Sequence, residues 1–74
     1  MAIQKTNIHG FIVEYEDNVK AGIEYLKYDL DFNEAKVFFD AARRDGKADF
    51  EDDEDRDWRL IYNRSKGNYT LVRR

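Results

Sequence analysis

The sequence predicts a small single α+β domain, an antiparallel sheet with one amphipathic helix packed on one face. Three observations carry this. Phe32, Ala35, Phe38, Phe39 and Ala42 recur at helical spacing within DFNEAKVFFDAARRDG, one apolar stripe bounded by a capping signal and a glycine. DWRLIYN and YTLVR alternate apolar and polar residues around a turn containing Gly67, the pattern of a hairpin. Residues 7–15 alternate in the same way and are rich in β-branched and aromatic side chains, as strands are.

Taken in order, residues 1–6 are expected to fray. The first strand, 7–15, points Phe11, Val13, Tyr15 and His9 one way and Ile8, Gly10, Ile12 and Glu14 the other. Gly10 inside it suggests a bulge. Residues 19–30 read two ways. Val19, Ile23, Leu26 and Leu30 form a helical stripe, but Gly22 interrupts it and Tyr25 and Tyr28 fall off it. A glycine in a helix interior costs about 1 kcal/mol. No glycine is present at 29–31 to end one helix and start another. The expectation is therefore a strand over 23–29, hairpinned to the first, with a second helix as the alternative.

The helix at about 32–45 is the best-supported element. Asp31 can cap its first amides, and Glu34 can reach back to complete a capping box. Arg43 and Arg44 meet the negative end of the helix dipole, and Gly46 can adopt the left-handed conformation that stops it. A three-stranded meander follows: a strand through Ala48 and Phe50, an exposed acidic loop at 52–55, strand 57–63, a turn at 64–68 and strand 69–73. The expected core is Phe11, Val13, Leu26, Leu30, Phe32, Ala35, Phe38, Phe39, Ala42, Phe50, Trp58, Leu60, Tyr62 and Leu71.

A chain of 74 residues buries only roughly 60% of its unfolded surface, so its core is thin. Without cysteine neither disulfides nor zinc–thiolate sites can compensate. Five Phe, five Tyr and one Trp are the compensation, since each buried ring removes about 150–250 Å² from water. There is no apolar run near the ~20 residues of a membrane span and no signal-peptide pattern at the N-terminus, so a soluble, cytoplasmic protein is expected.

The net charge is −3, but residues 49–55 hold six acids and no base, and 56–74 hold six bases and one acid. The acidic run invites a metal reading, since hard cations gather carboxylates. EF-hand spacing fails: twelve positions counted from Asp49 end at Leu60 and from Asp53 at Arg64, where a bidentate glutamate is required. No metal or cofactor site is assigned. His9 is the only histidine and Ser65 the only serine, and no motif joins them as a nucleophile and base. The four glycines are isolated and cradle no phosphate. No enzyme activity is expected.

By elimination the reading is a non-enzymatic binding module that works through protein–protein contacts, with another protein or with itself. The candidate surface comprises Arg59, Arg64, Lys66, Arg73, Ile61, Val72, Asp52, Asp53 and Asp55. Its apolar part is a row of Ile8, Ile12, Ile61 and Val72, expected on the sheet face opposite the helix. Two alternatives use the charges. The basic, aromatic C-terminal hairpin could bind single-stranded nucleic acid. The acids of 49–57 could instead compete for the basic surface of a nucleic-acid-binding protein.

Overall fold

A computed structural model describes residues 3–74. Five strands form one sheet, covered on one face by two helical segments. β1 (Gln4–Ile8) and β2 (Phe11–Tyr15) are a hairpin. α1 follows as one continuous helical segment: a 3₁₀ turn at Asp17–Val19, an α-helical stretch at Lys20–Glu24 and a π-helical stretch at Tyr25–Asp29. α2 is Phe32–Asp45, and β3 (Lys47–Glu51), β4 (Asp57–Asn63) and β5 (Asn68–Arg73) complete the chain. The strand order is β1-β2-β5-β4-β3. All neighbours are antiparallel except β2 and β5, which run parallel, with Val13 opposite Tyr69 and Glu14 opposite Thr70. The sheet is therefore mixed rather than wholly antiparallel.

α2 forms as its sequence dictates. Asp31 Oδ1 accepts the Glu34 amide at 2.8 Å, and the Asp31 amide donates to Glu34 Oε1 at 3.0 Å. Gly46, at φ +92°, ends the helix with its amide on the Ala42 carbonyl at 2.7 Å. Ala35, Phe39 and Ala42 are fully buried, and Phe38 is half-buried against Phe50.

Three further expectations about the fold need correction. Residues 7–15 are not one strand, and residues 4–6 are ordered within β1. His9 and Gly10, at φ +53° and +95°, make a two-residue turn of the kind that matches the twist of a hairpin. That turn shifts the alternation, so Ile8 pairs with Phe11 and lies wholly in the core.

Residues 23–29 are helical rather than extended. Val19, Ile23 and Leu26 are buried on the sheet, as the helical stripe implies. Gly22 is the reason the segment fits. A Cβ there would lie 2.8 Å from the Trp58 ring and 2.9 Å from Leu71, so only glycine lets α1 approach this closely. The helix ends without a glycine because the Leu30 amide reaches back five residues to the Tyr25 carbonyl at 3.1 Å. Leu30 and Asp31 are then extended. The Nε2–H of His9 donates to the Leu30 carbonyl at 3.0 Å, which ties the hairpin tip to the junction of the helices.

Third, Phe32 is exposed, although its ring lies edge-on to His9 and parallel to Phe11. The core gains Ile8, Val19, Ile23, Ala48 and Tyr69 instead. An aromatic chain runs through it, with Phe11 stacked on Phe39 at 4.3 Å and Phe39 edge-on to Tyr69 at 4.9 Å.

Candidate functional site

Strand register decides which side chains neither helix covers, since directly opposed residues share a face. One face carries Ile8, Val13, Tyr69, Leu71, Leu60, Trp58 and Phe50, all buried beneath the helices. The other carries Lys5, Asn7, Ile12, Glu14, Asn68, Thr70, Val72, Asn63, Ile61, Arg59, Asp57, Lys47, Asp49 and Glu51 by the same pairings. Ile12 is 42% exposed, and Ile61 and Val72 are half-buried. The expected apolar row thus holds for three of its four members, Ile8 having moved to the core.

An open groove of about 840 Å³ runs beside β5, lined from this face and also by Tyr15, Val19, Tyr62, Leu71 and Arg73 of the covered side. Val72 and Thr70 line it, with Arg64 and Lys66 toward the β4–β5 turn and Ile3 and Glu16 toward the other end. Its middle is a hydrogen-bonded network. Asn68 Nδ2 donates to Glu14 Oε1 at 3.0 Å, and Asn63 Nδ2 donates to Asn68 Oδ1 at 3.0 Å and Thr70 Oγ1 at 2.7 Å. Glu14 and Asn68 are both 8% exposed, so these bonds satisfy groups that would otherwise be costly to bury. They also link β2 to β5 and β5 to β4 across the parallel join.

The candidate cations are mostly engaged. Arg59 grips Asp49 with two hydrogen bonds, Nε to Oδ1 at 2.8 Å and a terminal nitrogen to Oδ2 at 3.3 Å. Those bonds hold the Asp49 carboxyl below its ordinary range and raise Arg59. Lys66 lies 3.6 Å from Glu14. Arg73 is on the helix-covered face, 5.3 Å above the Trp58 ring. Arg64 has no ion pair among the described residues.

The acidic run divides. Asp53 and Asp55 are exposed, but Asp52 is not a surface acid, contrary to its place in an exposed loop. Its side chain is 1% exposed. It accepts the Glu54 and Arg56 amides at 2.9 and 3.0 Å, Arg56 Nε at 2.8 Å and Trp58 Nε1 at 2.9 Å. Burial is the largest single influence and opposes ionisation, but the bonds from Trp58, Arg56 and Glu54 together outweigh it. They bring the carboxyl down to about 2. Asp52 therefore organises the β3–β4 loop from inside. Nothing in the run of acids at 51–55 marks Asp52 as the one that turns inward.

Exposed Asp53 and Glu54 instead join Glu24 and Asp29 of α1 around a cleft of about 460 Å³ that Tyr25 and Tyr28 also line. Burial, then the charges of Asp53 and Asp29, push the Tyr25 hydroxyl above its ordinary value. Among the described residues no group of three His, Asp or Glu side chains is placed to hold a metal ion, and no helix is long and apolar enough to cross a membrane. No protein-family model, curated protein or solved structure matches the chain.

Proposed function

We propose that the chain is a non-enzymatic protein-binding module whose docking surface is the uncovered sheet face. The observation that supports this is the placing of Ile12, Ile61 and Val72 on the face that neither helix covers. Interfaces place an apolar centre inside a polar rim, and Asn7, Lys5, Asn63 and Lys47 supply polar neighbours to these three. The test is partner capture by wild type, by Ile61→Lys and by Val37→Lys, with Val37 exposed on α2. Binding should be lost only in Ile61→Lys, while its amide spectrum stays folded. Equal capture by all three overturns the reading.

A second reading has one observation in its favour. Glu24 and Asp29, distant in sequence, lie beside Asp53 and Glu54 with two tyrosines at the same cleft. This enlarges the acidic surface that could compete for a basic, nucleic-acid-binding partner, while Asp49 and Asp52 are occupied within the fold. Neutralising Asp53 and Asp55 should abolish that competition without unfolding the chain, because both are exposed. Direct nucleic-acid binding has less support, since Arg59, Lys66 and Arg73 already face Asp49, Glu14 and Trp58.

A further inference from the structure

The uncovered face is electrically polarised along its strands. Arg64 lies at the β4–β5 turn and Lys5 and Lys47 in the row of Glu14, Thr70 and Ile61, whereas Glu16, Glu51 and Asp57 lie beyond that row toward the far end. None of the six has an ion pair among the described residues. The other charges on the face are already matched, Arg59 and Arg74 with Asp49 and Lys66 with Glu14. What remains is a basic half, an acidic half and an apolar centre of Ile12, Ile61 and Val72.

We infer that a second copy of this chain docks on this face, the two sheets packed face to face with their strands antiparallel. This rests on the docking-face reading above. A two-fold axis in the interface plane, perpendicular to the strands, turns the basic half of each copy onto the acidic half of the other. Such an interface is isologous, so the complementarity is used twice. Turning the copies the other way would set like charges together, which costs several kcal/mol. Five strands about 4.8 Å apart and five to seven residues long, at about 3.3 Å per residue, present roughly 400–500 Å² in projection. A standard interface buries about 800 Å² per partner. The dimer is therefore weak, and its charged contacts make it sensitive to salt.

Sedimentation equilibrium from about 10 µM to about 1 mM, a range suited to a small interface, tests this with wild type and two charge-reversed chains. One carries Lys47→Glu and Arg64→Glu, the other Glu51→Lys and Asp57→Lys. Wild type should shift from the mass of one chain toward that of two. Each reversed chain, its six unpaired charges now five of one sign and one of the other, should associate about tenfold or more weakly. An equimolar mixture of the two should recover association, a result that damage to the fold cannot produce. Should either reversed chain fail to fold, Ile12→Glu, at a position already 42% exposed, should weaken the wild-type dimer instead. A wild-type chain that stays monomeric, or a folded mixture that does not recover, overturns the second copy as occupant. The docking face itself falls separately, by undiminished partner capture in Ile61→Lys.

Discussion

α2 begins at a capping box and ends at a left-handed glycine, while α1 has neither. No side chain caps α1 at Glu16 or Val19, a glycine, Gly22, sits in its interior, and its last turn is π-helical. Both nevertheless cover the same sheet face. α2 carries its start, stripe and stop within sixteen consecutive residues of sequence. α1 is set by a partner far along the chain, because Gly22 seats against Trp58 and Leu71. The difference separates helices specified locally from those specified by packing. Four changes test it.

The largest effect is expected at Trp58. Its ring is 1% exposed, lies beneath Gly22 and donates to Asp52. Trp58→Ala should cost about 3–5 kcal/mol, most of the stability expected of a domain this small. Urea denaturation followed by circular dichroism measures it. A loss below 1 kcal/mol would mean that α1 does not depend on the ring.

Acid should act through the same residue. With its pKa brought down to about 2, Asp52 binds its proton less readily in the folded chain than in the unfolded one. The stability it contributes is complete above the unfolded value near 4 and disappears as pH falls through about 2. The shift corresponds to something on the order of 2 kcal/mol. Trp58 fluorescence, followed from pH 6 downward, reports the change directly. Asp52→Asn should lower stability at neutral pH and flatten the acid slope. An unchanged slope would show that other carboxylates control acid unfolding.

These two residues also show where the sequence is legible. α2, the acidic loop and the β4–β5 hairpin were readable because their signals are local: caps, a glycine turn, period-two alternation. α1 was not, because its decisive contact joins residues 22 and 58. The first hairpin was missed because His-Gly is not the usual Asn-Gly or Asp-Gly pair, although both residues take positive φ. That turn reassigned Ile8 to the core. The candidate surface was legible for Ile61 and Val72, whose strand alternation was clear. It failed at Asp52, since a run of acids gives no sign of which one turns inward.

Gly22→Ala tests the packing explanation at smaller scale. Helix propensity alone favours alanine by about 1 kcal/mol, so a locally specified helix would gain stability. The methyl would instead press on Trp58 and Leu71. Overpacking typically costs about 1–3 kcal/mol, which makes a net loss the expected sign. In a Trp58→Phe background, where the smaller ring leaves room, the loss should shrink or reverse. The measurement is a double-mutant cycle by chemical denaturation, and strict additivity would remove the contact as the cause.

The smallest effect belongs to the locally specified helix. Asp31→Ala removes the acceptor of the Glu34 amide and leaves Glu34 to reach back alone. Lost N-caps cost about 1 kcal/mol. Because the stripe of Ala35, Phe39 and Ala42 stays buried, α2 should persist and only its first turn should loosen. Amide exchange should therefore quicken at the first turn of α2 and stay unchanged in α1. His9 makes the test sharper, since it holds the Leu30 carbonyl from the hairpin tip, one residue before the cap. If exchange also quickens across Tyr25–Asp29, the two helices share one folding unit through that junction, and the separation between local and packed specification ends at Leu30.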